Sequence, residues 1–428
     1  MTLASLRRMD NPHTVAIVEF MTCDSDILIA GGGLNGPSLA LALADGGLNV
    51  TLVDAAPDGA REIRGFDGRC YALALASQRL FQAIGVWDLL DDNAQPILNV
   101  KVSDGRAGEG PGPFVMGFDH AEIEEGPTGY MVEDRFISGA LREAVEKHPL
   151  ITKISGAKVV SQHVDGAVVT VGLDTGESLT TRLLVGADGR GSGVAARAGI
   201  KRNGHSYHQT ALVCSVEHAL PHNATAHQFF MPDGPLAILP LPGNHSSIVW
   251  STSDDKATHI ASLDDDAFME ELRPVFGDFL GEISLSGARF TYPLTLSLAE
   301  HFVSERLALI GDAAHGVHPV AGQGLNLGLR DVGALAEVVI EARRRGEDFA
   351  AADVLARYEQ WRRWDTTLLS AGMDGVVRLF SNDNPLLRAI RGLGLGAVNT
   401  MPSLRRNFIR EAAGLTGDLP KLMQGRQV

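Results

Sequence analysis

Gly31, Gly33 and Gly36 stand in the pattern G-x-G-x-x-G directly after the apolar run Asp26-Ile27-Leu28-Ile29-Ala30. The first glycine of such a pattern permits a tight turn. The second lets a pyrophosphate approach the main chain, and the third lets the following helix pack on its strand. Leu34 and Asn35 open that helix, whose free N–H groups and partial positive charge suit an anion. Asp54 lies 18 residues beyond Gly36, at the end of a second apolar run, with Ala55 beside it. A carboxylate there accepts hydrogen bonds from the ribose of an adenosine. Strand, glycine turn, helix, strand and acid in register read as a βαβ unit that binds a dinucleotide. The motif alone does not separate NAD from FAD.

Two later stretches carry related chemistry. Leu183-Leu184-Val185-Gly186-Ala187-Asp188-Gly189-Arg190 is an apolar run ending in Asp-Gly. Arg306-Leu307-Ala308-Leu309-Ile310-Gly311-Asp312 is another, ending in Gly-Asp, and it continues through His315, His318 and Pro319 into Gly322-Gln323-Gly324-Leu325-Asn326. A carboxylate at a strand end, as at Asp312, binds ribityl or ribose hydroxyls. A glycine-rich helix start from Gly322 presents N–H groups to an anionic centre, such as the N1–O2 edge of a reduced flavin.

Three such motifs in this order and at this wide spacing resemble the flavoprotein aromatic hydroxylases typified by para-hydroxybenzoate hydroxylase. Narrower likeness lies in Asp67-Gly68-Arg69-Cys70-Tyr71-Ala72-Leu73, Gly85-Val86-Trp87, Gly234 to Leu241, Arg289 to Leu294, Leu327 to Asp331 and the stretch from Arg378 onward. These resemble the hydroxylases of ubiquinone biosynthesis, over about Asp24 to Gly425. The resemblance implies FAD as the tightly held nucleotide and NAD(P)H as a transient electron donor. It implies oxygen insertion from O₂ through a C4a-hydroperoxyflavin into the ring of a polyprenylated phenolic precursor. It places Gly311, Asp312, Gly322, Gly324, Leu325 and Asn326 at the flavin with Pro319 packed near the ring, and gives Asp188 a part in both the FAD region and hydride transfer. It also places Arg69 near the flavin and Arg135 on the FAD phosphates or ribityl. The residues themselves leave alternatives: a salt bridge from Arg69 to Asp67 or Glu62, and a plain turn at Asp188-Gly189. Asp54 stands where many relatives have Glu, and residues 1–24 have no counterpart. No catalytic base is identified.

These groups need elements to position them. The reading is an α/β chain, α+β overall, with a Rossmann-like FAD-binding domain, a β-sheet substrate domain and a helical C-terminal tail. Residues 1–24 are an N-terminal extension without fixed structure. Residues 25–98, 130–200 and 290–365 form a discontinuous FAD-binding domain, 99–129 and 201–289 the substrate domain, and 366–428 the tail. Strands are predicted at 95–104 and 182–187, a loose loop at 105–113, a helix at 136–147 and an antiparallel meander over 151–181. Phe229, Phe230, Leu239, Trp250 and Tyr292 are candidates to line a substrate pocket, with ordinary sheet core as the alternative for each.

With 428 residues and a net charge of −15, the chain lacks the basic footprint of a nucleic-acid binder. Three widely spaced cysteines give neither a disulfide framework nor a thiolate zinc site, and the pairs His205/His208 and His315/His318 lack the convergent company of metal ligands, so no metal is expected. Residues 371–428 hold eight Lys/Arg against four Asp/Glu, and Leu386, Leu387, Ile390, Leu393, Leu395 and Val398 add apolar surface. Two readings follow for this tail. It meets an anionic membrane surface or a ubiquinone-biosynthesis complex, or it packs on the core with a solvated basic face. The expected location is cytoplasmic, peripheral at the inner membrane. The alternatives to the leading function are a same-fold flavoprotein acting on another aromatic or prenyl substrate, and a non-catalytic prenyl-binding scaffold.

Overall fold

The computed structural model describes residues 23–60, 66–108, 110–316, 323–380 and 401–428. Strand β1 (Ser25–Ala30) leads through the glycine turn into helix α1 (Asn35–Asp45) and on to strand β2 (Val50–Asp54). The strands are apolar at nearly every position because both faces of the sheet are covered. Ile27, Leu28 and Ile29 are fully buried. In this sheet the order is Val303–Ser304, Leu307–Leu309, Ser178–Gly186, β1, β2, Ile151–Ser155, and all neighbours after the first pair run parallel. The carboxyl ends of the parallel strands therefore share one edge. That edge is where an open α/β sheet binds its ligands. Helix α1 alternates Leu and Ala and is buried from Gly36 to Ala44, packed between the sheet and the long helix Gln323–Arg344.

A second sheet has eight strands, in the order His315–Gly316, Ile283–Ala299, Arg202–His218, His245–Ser253, Leu236–Leu241, Thr225–Phe230, Asn99–Arg106, Gly110–Asp119. The segment 99–119 thus joins the sheet built by residues 202–299, through parallel pairing of Asn99–Arg106 with Thr225–Phe230. One face is covered by the helices Asp254–Ser262 and Asp265–Phe276. A small sheet of Cys70–Ala74, Gly129–Glu133 and Gln95–Ile97 packs against Leu236–Leu241 of the second sheet and against the helices Leu75–Ala83 and Gln323–Arg344.

Several sequence expectations change. The run 95–104 is two strands, Gln95–Ile97 and Asn99–Arg106, in different sheets. The predicted loop at 105–113 is largely strand: Gly105 and Arg106 end Asn99–Arg106, and Gly110 to Pro113 begin the edge strand Gly110–Asp119, where glycine and proline are tolerated. Ile151–Ser155 is not part of a meander but pairs parallel with β2; only the strands from Val159 to Gly186 run antiparallel. Ile283–Ala299 runs unbroken through residue 290, and the helix Ala352–Phe380 through 365, so both assigned boundaries cut an element. Asp24 is bound to the fold, its carboxylate accepting from the Thr180 amide at 2.7 Å and hydroxyl at 2.8 Å. Residues 1–22 of the extension lie outside the described residues, as do Leu386, Leu387, Ile390, Leu393, Leu395 and Val398.

Candidate active site

The glycine turn is shaped by three different constraints. Gly31 has φ +124°, and a Cβ there would sit 2.2 Å from the Ala187 carbonyl oxygen. At Gly36 a Cβ would sit 1.9 Å from the Gly31 carbonyl oxygen, so the third glycine lets α1 close onto its own turn. Around Gly33 a Cβ would meet nothing within 4 Å. The second glycine faces open space. No side chain caps the start of α1, and its first N–H groups are left for a ligand.

A cavity of about 360 Å³ opens from this turn toward β2. Asp54, buried at the end of β2, lines it, and its Oδ1 accepts from the Ala56 amide at 3.1 Å. Ala56 lines the cavity while Ala55 is exposed and does not, so the predicted contact falls one residue further on. Facing them are Asp134, Ser138 and Arg142 from the helix Asp134–Lys147, and Lys153 and Ser155 from the strand beside β2. Sequence reasoning missed these residues. A parallel reading of 151–155 would have exposed the last two, since parallel strands carry ligand contacts at their carboxyl ends.

A second cavity, of about 450 Å³, continues from the first; Gly33, Leu34, Arg69 and Tyr71 line both. Here the remote stretches meet. Asn35 comes from the first, Ala187, Gly189 and Arg190 from the second, Ile310 and Asp312 from the third, and Gly324 and Leu325 from the long helix. The far wall is a face of the eight-stranded sheet, carrying Ala211, Val213, Ala237, Leu239, Ser247 and Val249, with Tyr292 to Thr295 beside it. Leu239 and Tyr292 stand in the cavity as expected. Trp250, two-residue alternation away from the lining face, is buried instead against the covering helices; Phe230 is buried and Phe229 packs on that same helical side.

Charges at the seam are paired. Arg69 Nε lies 2.8 Å from Asp67 Oδ2, and a terminal nitrogen lies 3.4 Å from Asp134 Oδ2. Both the cavity position and the Asp67 ion pair considered for Arg69 therefore occur together, while Glu62 lies outside the described residues. Arg190 Nε meets Asp312 Oδ2 at 3.0 Å. Burial, aided by the Asp134 carboxylate, holds the Tyr71 phenol above its ordinary value, and burial with nearby carboxylates does the same for Tyr292, so both hydroxyls keep their protons. Burial also raises the Cys70 thiol, which lines the cavity as a thiol and not as a nucleophilic thiolate.

Four predicted contacts are used differently. Arg135 lines neither cavity: its Nε is 2.6 Å from Glu133 and its guanidinium lies over Phe136, one step around the helix from the lining face. The Asp188 carboxylate is taken by the Ser192 hydroxyl at 2.5 Å and the Val194 amide at 3.1 Å, steadying the short helix Gly193–Arg197. Asn326 accepts from the Ala74 amide at 2.9 Å and the Ser77 hydroxyl at 2.7 Å, and donates to the Ala72 carbonyl at 2.9 Å. It fastens the long helix to the small sheet. Gly311, at φ +57°, donates its amide to Asp331 at 2.9 Å and so shapes the loop from behind. Pro319 and Gly322 lie outside the described residues.

Behind that loop runs a buried ionic chain that the sequence did not announce. Asp331, fully buried, takes His315 Nε2 at 2.5 Å and Arg362 Nε at 2.7 Å. Arg362 bonds Asp365, Asp365 meets Arg330 at 3.0 Å, and Arg330 donates to the Gly414 carbonyl at 3.0 Å. Burial alone would raise the Asp331 carboxyl, but His315 and Arg362 outweigh it and hold it below the usual range.

The site fits a dinucleotide flavin: an open glycine and uncapped helix for the pyrophosphate, an acid for the adenosine ribose, and a second cavity walled by an apolar sheet. Comparison with known proteins agrees. A family model described as FAD binding domain matches residues 24–367. Ubiquinone hydroxylase UbiL of Rhodospirillum rubrum is 46% identical over 404 residues, 94% of this chain and 93% of the relative. The 3-demethoxyubiquinol 3-hydroxylase of Escherichia coli is 35% identical over 91% of this chain and 99% of its own length. The crystal structure of p-nitrophenol 4-monooxygenase PnpA from Pseudomonas putida superposes with a TM-score of 0.75 at 19% identity, over 92% of this chain and 98% of that one, a likeness of fold.

Proposed function

This chain belongs to the FAD-dependent hydroxylase family of ubiquinone biosynthesis, and from that premise we propose that it hydroxylates the ring of a polyprenylated phenolic precursor of ubiquinone, using NAD(P)H and O₂. The observation that carries this reading is the convergence of three remote stretches in one cleft whose ring end faces an apolar sheet. FAD, when bound, supplies the redox and oxygen chemistry. The chain's own residues do the rest. Gly33 and the start of α1 receive the pyrophosphate, and Asp54 receives the adenosine ribose. Asp312 stands ready for ribityl hydroxyls, held at the cavity by Arg190 and by Arg202, which donates to the Asp312 carbonyl at 3.1 Å and to the Ala313 carbonyl. The small side chains of Ala211, Val213, Ala237 and Val249 leave room for an aromatic ring and keep water from the reacting centre. Tyr71 and Tyr292, both protonated, offer donors to a ring oxygen.

Association with an anionic membrane is part of the proposal. No helix among the described residues is long and apolar enough to cross one. Met401, Leu404 and Phe408 are exposed along one side at the helix Pro402–Ala412, which suits a peripheral contact.

The purified, FAD-loaded protein should oxidise NAD(P)H faster when a short-chain prenylphenol is added, and the product should gain one oxygen by mass spectrometry. NAD(P)H consumption that no prenylphenol stimulates, with peroxide as the only product, would overturn the assignment.

A further inference from the structure

Two of the side chains on the cavity wall, Val249 and Ala237, belong to a register row that continues past the cavity. Val249 stands opposite Ala237, Ala237 opposite Gln228, Gln228 opposite Val102, and Val102 opposite Met116. Residues paired in this way share one face of a sheet, here the face that looks into the cavity. From Ala237 to Met116 the row crosses three strand spacings, about 14 Å.

The same face is covered on either side of this stretch. Ile97 and Met131 of the small sheet pack with Ala226 and Val100. At the far end Ile409 packs with Met116 and Phe118, and the Phe408 ring meets Phe118 with centroids 6.3 Å apart. Between these covers Gln228 and Val102 stay only half-buried. Gln228 is the polar member of the row, and its amide nitrogen donates to the Leu236 carbonyl at 3.4 Å. Beyond Met116 the lane runs out onto exposed apolar surface, with Phe408 44% and Leu404 37% exposed. Partly exposed apolar surface that is continuous with a ligand cavity marks a groove for a ligand longer than the cavity.

We infer that Ala237, Gln228, Val102 and Met116 seat the prenyl chain of the substrate on its way from the ring cavity to the helix Pro402–Ala412, an inference that rests on the hydroxylase reading of the cavity. The cavity, about 450 Å³, has to hold the flavin end of the cofactor and the phenolic ring, so a polyprenyl chain must leave it. No member of the row carries a charge, which suits a hydrocarbon and not a phosphate or a charged peptide. Lys101 supplies the control: it neighbours Val102 in the strand Asn99–Arg106, is exposed, and points to the opposite face.

The test uses the FAD-loaded full chain and prenylphenols of increasing length. In the wild type kcat/KM should rise with length, by at least about tenfold between the phenol without a prenyl chain and one that spans the lane. Val102→Glu should cut that ratio about tenfold, within the reach of apolar discrimination. The isosteric Gln228→Glu should cut it too, and Lys101→Glu should leave it at the wild-type value. A second readout needs no turnover. A prenylphenol carrying a diazirine at the end of a chain that spans the lane should, on illumination, label Met116 or residues 402–408 of the wild type, as mapped by mass spectrometry, and unmodified prenylphenol should compete. Equal falls in Lys101→Glu and Val102→Glu, a ratio unmoved by both Val102→Glu and Gln228→Glu, or label on the helices Asp254–Ser262 and Asp265–Phe276 would overturn the inference. Hydroxylation that is indifferent to prenyl length would overturn it and leave the hydroxylase reading standing; hydroxylation of none of these phenols would remove both.

Discussion

Gly33 and Gly36 stand three residues apart and bear opposite constraints. A methyl group on Gly33 enters open space, where the proposal puts the pyrophosphate, while one on Gly36 drives into the Gly31 carbonyl. Gly33→Ala should therefore keep the melting temperature of the flavin-free protein and lose at least tenfold in FAD affinity. Gly36→Ala should lose several degrees of melting temperature before any ligand is added, as overpacking costs about 1–3 kcal/mol. Thermal unfolding and FAD titration of the two variants separate these outcomes; identical behaviour would refute the division of labour. The glycine turn and the place of Asp54 at a strand end were legible in the sequence because both are local. Arg135, Asp188 and Asn326 were not, because their partners Glu133, Val194 and Ala74 are set by how elements meet, and a polar residue near a motif looks the same whether it faces a ligand or a neighbouring strand.

At the scale of elements, alternation along the strands of the eight-stranded sheet decides which side chains reach the cleft. Val249 faces the cavity and Trp250 faces the helices. The sequence showed strands here but concealed the helices Asp254–Ser262 and Asp265–Phe276, and with them which face was already covered; hence Phe229, Phe230 and Trp250 stood beside Leu239 and Tyr292 as pocket candidates, though only the last two line the cavity. The same sheet carries a pH-sensitive position. His227, on Thr225–Phe230, packs 4.6 Å from Phe279 between ring centroids, and burial, with Lys101 adding to it, lowers its pKa to about 4 from 6.5. The unfolded chain takes up the proton first as pH falls. Stability from this group is complete above pH 6.5 and declines until the folded ring is protonated near pH 4, a loss of up to about 3 kcal/mol. Urea unfolding at pH 7 and pH 4.5 should show the decline in the wild type and a much smaller one in His227→Phe; equal declines would place the pH dependence elsewhere.

For the whole molecule, the segment after residue 400 decides how the basic tail is used. The sequence shows its positive charge but not where that charge goes. Arg405 meets Glu122 at 2.8 Å, Arg410 bonds Glu125, and Lys421 bonds Glu341, while Leu415, Leu422 and Met423 join the main core. Much of the charge is thus engaged within the fold, and the packed-tail reading holds for these residues. What remains for a membrane is the side carrying Met401, Leu404 and Phe408. Leu404→Glu with Phe408→Glu should reduce co-sedimentation with phosphatidylglycerol vesicles severalfold while FAD binding stays intact; unchanged sedimentation would remove this helix from the membrane contact.

The ionic chain from Gly311 through Asp331, Arg362, Asp365 and Arg330 ends on the carbonyl of Gly414. A nascent polypeptide has made β1 and α1 within its first tenth, yet the far anchor of the loop beside them emerges from the ribosome almost last. Until then the buried Arg330 lacks that acceptor. A chain that stops short of Gly414 should therefore melt at a lower temperature than the full chain, and thermal unfolding of the two checks it.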